Sequence, residues 1–133
     1  MSEIMVPVSP GELIDKLTIL RLKRERITES AKLANVRHEE AALLAVATAH
    51  LPGSTRLAAL GDELYAINAR LWVIEDDIRQ CERAGDFGPR FIELARSVYR
   101  VNDERAAVKK AINLHLGSAI TEEKSYADYT GNG

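Results

Sequence analysis

Asn68, Trp72, Glu75, Arg79 and Glu82 recur every three or four residues, and so do Tyr99, Asn102, Ala106, Lys109 and Asn113. On a helix, either spacing draws a single stripe. Together the two stripes offer amides, carboxylates, a phenol, a guanidinium and an ammonium. Glu75 is the group suited to give or take a proton, while Arg79, Arg105 and Lys109 are suited to hold an anion. Asn68, Trp72, Tyr99 and Asn102 would complete a binding wall for a polar or anionic small molecule. The simpler reading is structural. Polar groups beside a core must be paired, and Asn68, Glu75 and Tyr99 could pair one another while fixing helix register.

Two apolar stripes must position these residues. Leu57, Leu60, Leu64, Ile67, Leu71, Ile74, Ile78 and Cys81 alternate spacings of three and four, as do Phe91, Leu94, Val98, Val101, Arg105, Val108 and Ile112. Between them stands Gly85-Asp86-Phe87-Gly88-Pro89, which no helix interior would carry. The pattern predicts two long antiparallel helices joined by a short turn. Each polar stripe is displaced from its apolar stripe by one residue, about 100° of rotation. Because the helices run in opposite directions, both polar stripes fall on the same side of the hairpin. With the turn near Phe87, Trp72 faces Asn102, Glu75 faces Tyr99, and Asn68 lies near Ala106. Arg105 occupies the apolar stripe itself, where it should either snorkel to the surface or pair with Glu63, Asp62 or a carboxylate of the first helix.

Upstream, Ile4 to Val8 is a short β-branched run that suits an extended arm, or a strand that pairs across a dimer. Ser9-Pro10-Gly11-Glu12 opens a helix: serine at the cap, proline at the first helical position, and glutamate placed to return the capping bond. Leu13, Leu17, Leu20 and Ile27 continue at core spacing. Around Thr28 to Ser30 the pattern weakens: either Ser30 caps a new helix or the first runs on through Ala31, Ala34, Ala41 and Ala45, and the weakening favours a bend or break. Leu51-Pro52-Gly53-Ser54 is a firm stop, and Ser54 or Thr55 caps the next helix. The last helix ends at Gly117-Ser118. Residues 118–133 form a polar tail anchored by Tyr126 and Tyr129, disordered from Thr130 onward.

Composition narrows the function classes. At 133 residues, 46% hydrophobic and 29% charged, the chain is one soluble globular domain. A net charge of −2 gives no field toward nucleic acid or anionic lipid. The basic run Arg21 to Arg26 wraps around its helix, is interrupted by Glu25 and lacks stacking aromatics, so no nucleic-acid partner is expected. One cysteine, no secretion signal after Met1-Ser2-Glu3 and no membrane-length apolar run argue for the cytoplasm. His38, His50 and His115 share no metal spacing, and no Glu-x-x-His pair exists for a di-iron bundle, so neither metal nor cofactor is expected. Cys81 closes an apolar stripe and reads as packing.

Several stretches, taken in order, resemble a known family. They are Val6-Pro7-Val8-Ser9-Pro10-Gly11-Glu12-Leu13-Ile14-Asp15-Lys16-Leu17-Thr18-Ile19-Leu20, Lys32-Leu33-Ala34-Asn35, Ile67-Asn68 with Leu71-Trp72 and Ile74-Glu75-Asp76, Val101-Asn102-Asp103 with Arg105-Ala106, and Gly117-Ser118 with Glu122-Glu123-Lys124-Ser125-Tyr126. The pattern resembles a family of small bacterial proteins catalogued as a domain of unknown function. The resemblance implies no assigned activity; it implies a link to cell-surface polysaccharide and glycosyltransferase genes. A second, thinner resemblance is to small all-helical chorismate mutases, through Ile14-Asp15 followed by Arg21 and Arg24. The arginine that such enzymes carry before Ile-Asp is absent, as is a glutamine late in the last helix.

The expectation is therefore an all-α bundle of three or four helices in one domain, with an extended arm over residues 1–8 and a long C-terminal hairpin. The leading function is a non-catalytic interaction module that binds a protein partner or forms a homodimer. The alternative is an enzyme or sensor for an anionic metabolite or sugar nucleotide, built on the polar wall.

Overall fold

The structure, a computed structural model, describes residues 1–130. Its elements are α1 (Pro10–Arg26), α2 (Ser30–His50), α3 (Thr55–Ala84) and α4 (Pro89–His115), with no strand among the described residues. The all-α reading holds. Ile4 to Val8 has no regular secondary structure, and its backbone makes no hydrogen bond to another described residue. Residues 131–133, the end of the stretch expected to be disordered, lie outside the described residues; Thr130 donates from its amide and hydroxyl to the Asp128 carboxylate.

Local chemistry sets the boundaries. Ser9 caps α1 by accepting from the Glu12 amide at 3.2 Å, and Ser54 caps α3 by accepting from Leu57 at 3.0 Å. Glu12 does not return the capping bond to Ser9, because its carboxylate turns to lysines instead. The break between α1 and α2 falls at Ile27 to Glu29, in extended backbone. Ser30 is the first residue of α2 rather than its cap; Glu29 holds the cap position without a side-chain bond. Gly85 closes α3 at φ +66°, a left-handed conformation that glycine adopts without strain.

The α3–α4 hairpin carries the core: Leu60, Leu64, Ile67 and Leu71 interlock with Val101, Val108 and Ile112, with Ile14 of α1 packed against them. At 1.5 Å per residue, α3 is about 45 Å long and α1 about 25 Å, so α1 spans only part of the hairpin. Beyond it the tip stands as two helices, with Cys81 buried as packing and Phe87 edge-on to Phe91. The layers run α2, then α1, then the hairpin. Helix α1 touches all three others, while α2 touches α1 alone.

Candidate functional site

The polar wall is organised by a residue outside it. Asp15 stands on the buried face of α1, in line with Gly11, Thr18 and Leu22, and is 1% exposed. Its carboxylate accepts from Asn68 Nδ2 at 2.9 Å and from Arg105 Nε at 2.9 Å, and a second guanidinium nitrogen of Arg105 closes a bidentate pair. Asn68 Nδ2 also donates to Thr18 Oγ1 at 2.9 Å, and Thr18 donates to the Asp15 carbonyl. One carboxylate thus joins α1, α3 and α4. The hydrogen bonds that Arg105 donates to Asp15 hold its guanidinium firmly charged, outweighing its partial burial. Arg105 is accordingly paired with a first-helix carboxylate, one of the partners its sequence position implied.

A second cluster lies nearer the start of α1. Lys109 Nζ, with 11% of the side chain exposed, donates to Glu12 at 2.7 Å and to Glu122 of the tail at 2.9 Å. Burial opposes its charge, yet the two carboxylates outweigh burial and move its pKa upward. Beside it, Asn113 Oδ1 accepts from the Gly11 amide at 2.7 Å, so α4 satisfies one of the free donors that open α1. The approach is so close that a Cβ at Gly11 would sit 2.5 Å from the Lys109 carbonyl oxygen. Glycine stands here because no larger residue fits.

The structure brings together some of the wall residues and separates others. Asn68, Trp72, Glu75, Asn102 and Arg105 line a groove of about 420 Å³ over an apolar floor of Ile19, Leu22 and Leu71. Arg26, at the end of α1, lies 6.0 Å from the Trp72 ring. Lys109 lines a neighbouring cleft of about 250 Å³ with Glu12, Asn102 and Arg105. Arg79 turns back along its own helix to Glu75 and contributes nothing to the groove. Tyr99 does not meet Glu75. It stacks on Tyr129 of the tail, ring centroids 4.9 Å apart, and Glu82 is exposed near the hairpin tip. Asn68 likewise pairs with neither Glu75 nor Tyr99. The tail folds back along α4 with the Tyr129 ring against Tyr99, and Tyr126 is the more exposed of the two tail tyrosines.

Sequence reasoning passed over Asp15, Thr18, Gly11 and Glu122. Asp15 had a signal: a carboxylate at core spacing on α1, answering an arginine at core spacing on α4. Gly11 had one too, since alanine would favour the helix at that position.

Every buried side-chain nitrogen and oxygen among the described residues has a hydrogen-bond partner. No cluster of His, Cys, Asp or Glu among them could hold a metal ion, and no helix is long and apolar enough to cross a membrane. No curated protein and no solved structure matches the chain. Residues 4–131 match the family of unknown function DUF6165. The match takes in both helical hairpins, the Asp15 hub and all of the wall residues, and the chain belongs to that family.

Proposed function

We propose that this chain is a non-catalytic interaction module that docks a second copy of itself through the outer side of α2 and the N-terminal arm. One observation carries the reading: α2, 21 residues long, buries only Val36 and rests on α1 alone. Val46 stays exposed, and together with Ile4, Met5, Val6 and Val8 of the arm it lines an apolar groove of about 380 Å³. Apolar surface of this continuity marks an interface more often than it marks a monomer. The groove is rimmed by Glu3 and Glu39 and by Lys16 and His38, so the patch carries groups that could pair with their counterparts across a two-fold axis. The polar wall supports the same reading, because its cations are engaged internally: Arg105 on Asp15, Lys109 on Glu12 and Glu122, Arg79 on Glu75. A module of this kind would serve cell-surface polysaccharide assembly, as the sequence resemblance implies, and would do so from the cytoplasm, as the composition suggests. Sedimentation velocity across the micromolar range tests it. The parent should self-associate with concentration, and Val46→Glu, in the groove, should remain a monomer with unchanged helix content. A parent that stays monomeric throughout would overturn the proposal.

The groove beside Trp72 favours a second reading, a binding site for a small anionic metabolite or sugar nucleotide. Here Glu75 would act as acid or base and Arg105 would orient the anion, with Lys109 adding positive charge from the neighbouring cleft, as in an all-helical enzyme of the chorismate-mutase type. Its support is the volume of about 420 Å³ in which an indole, a carboxylate, an amide and a guanidinium meet over an apolar floor. A panel of such metabolites in thermal denaturation separates the two readings: this one requires a stabilising ligand whose effect is lost in Glu75→Gln.

A further inference from the structure

Asn68 has one polar atom that the fold leaves without a partner, and its neighbours decide which. The side-chain Nδ2 lies 2.9 Å from the Asp15 carboxylate and 2.9 Å from Thr18 Oγ1. A carboxylate can only accept, and Thr18 uses its one proton on the Asp15 carbonyl at 2.8 Å. Both neighbours therefore need the NH2 end of the amide, and Oδ1 must turn away from them. No donor among the described residues bonds Oδ1, and no fully buried side-chain oxygen among them lacks a partner. Oδ1 thus opens on the groove that Asn68 lines, at its foot, since the residue is only 5% exposed. It is a fixed acceptor that calls for a donor.

Arg105 is anchored by the same carboxylate and offers the opposite polarity. Its Nε and Nη2 bond Asp15, and Nε shares the Asp15 oxygen that Asn68 meets. Nη1 makes no hydrogen bond among the described residues, and the side chain is 30% exposed where it lines the groove. Asp15 balances the charge, so a neutral carbonyl suffices as a partner for Nη1. Beside them, Asn102 is hydrogen-bonded among the described residues through its backbone carbonyl alone, which leaves its side-chain amide free. Trp72 supplies a half-buried indole, and Ile19, Leu22 and Leu71 supply the apolar floor. Such a lining suits a flat ring that carries a donor beside an acceptor on one edge. A sugar ring would press hydroxyls against the floor, and an aromatic carboxylate would leave Asn68 Oδ1 unmet.

We propose that the Trp72 groove holds a lactam nucleobase, of the uracil or hypoxanthine kind. The ring stacks on Trp72, its N–H donates to Asn68 Oδ1, and its adjacent carbonyl accepts from Arg105 Nη1. The proposal rests on the second reading above, that the groove takes a metabolite or sugar nucleotide, and it assigns the groove to the base. None of the groove's lining belongs to the tail. Arg26, 6.0 Å from the Trp72 ring and without an ion pair among the described residues, stands at the rim to meet a nucleotide's phosphate. A net charge of −2 offers no track for a nucleic-acid strand, so the ligand is a single nucleoside or nucleotide.

Trp72 is the sole tryptophan of the chain, so its emission reports a ring stacked on it. Titration of the full chain with uridine and inosine, each beside its ring-methylated counterpart (3-methyluridine and 1-methylinosine), tests the proposal. Uridine or inosine should quench the emission saturably, and the tighter of the two identifies the ring size. Its methylated counterpart should bind more weakly by at least about tenfold, because a methyl group then faces the Asn68 acceptor. The protein is the same in both titrations, so folding does not enter. The 5′-monophosphate should bind more tightly than its nucleoside, and Arg26→Gln, at an exposed side chain, should abolish that gain. Equal affinity with and without the methyl group overturns the assignment to a lactam base. So does an absence of quenching by any nucleoside while an anionic metabolite still raises thermal stability, an outcome that leaves the second reading in place. No response to either kind of ligand overturns both.

Discussion

Helices α1 and α2 are neighbours in sequence and in space, yet they live in different solvents. In 17 residues α1 buries six, including an aspartate and a threonine; in 21 residues α2 buries one. The difference lies in how many sides each helix presents to protein. Helix α1 is clamped between α2 and the α3–α4 hairpin, so even its polar residues must find partners, and Asp15 finds Asn68 and Arg105. Helix α2 has a single neighbour, and its outer side is left to water or to another molecule. Burial makes α1 the part of the chain that specifies the fold. Exposure makes α2 the part best placed to meet a partner.

The comparison can be broken from the α1 side first. Arg105→Met should cost about 3–5 kcal/mol in chemical denaturation, because it strands a carboxylate that is 1% exposed. Asp15→Leu combined with Arg105→Met should recover most of that loss, since the buried charge disappears with its partner. If the pair costs as much as the single change, the network contributes more than charge balance. Gly11→Ala comes next. Its Cβ meets backbone at 2.5 Å and cannot be accommodated by a rotamer change, so about 1–3 kcal/mol should be lost as α1 is pushed from α4. An unchanged midpoint would mean that the two helices are not in this contact.

Equivalent changes on α2 should matter less. Val36→Ala removes two buried methyl groups at about 0.8 kcal/mol each, and its midpoint should shift accordingly. Val46→Ser, at a side chain that is 36% exposed in the α2–arm groove, should leave monomer stability within about 0.5 kcal/mol while weakening association. A large loss of monomer stability there would mean that α2 is covered after all. The smallest effect is one of pH. The pKa of Lys109 in the folded state lies above the ordinary lysine value of 10.5. Its pairing therefore stabilises fully below that value and fades as pH rises through the folded value. Alkaline titration of stability should fall more steeply for the parent than for Lys109→Met. Parallel curves would contradict the pairing with Glu12 and Glu122.

The hairpin was legible because its apolar stripes are long and regular, and spacing alone reports that a helix faces another. The first cap was legible because Ser9-Pro10 has few other structural meanings. The Asp15 hub was only half visible. Arg105 stood out on an apolar stripe, but which carboxylate it meets depends on where α1 crosses the hairpin, and no local pattern encodes a crossing. For the same reason Tyr99 was matched to Glu75 across the hairpin, whereas the tail supplies its real partner. Glu12 fitted a capping box in sequence, and a buried lysine from α4 proved the stronger claimant on its charge. Interactions within one helix could be read from spacing. Those that join α1 or the tail to α4 required the fold.

The contrast between the two helices is most directly tested by native-state hydrogen exchange, followed residue by residue at low and high protein concentration. Amides of α1 should exchange only through global unfolding at both concentrations, while those of α2 should open locally when dilute and gain protection when concentrated. Protection of α2 equal to that of α1 in dilute solution, unchanged by concentration, would contradict the assignment of α2 as the open, docking side of the molecule.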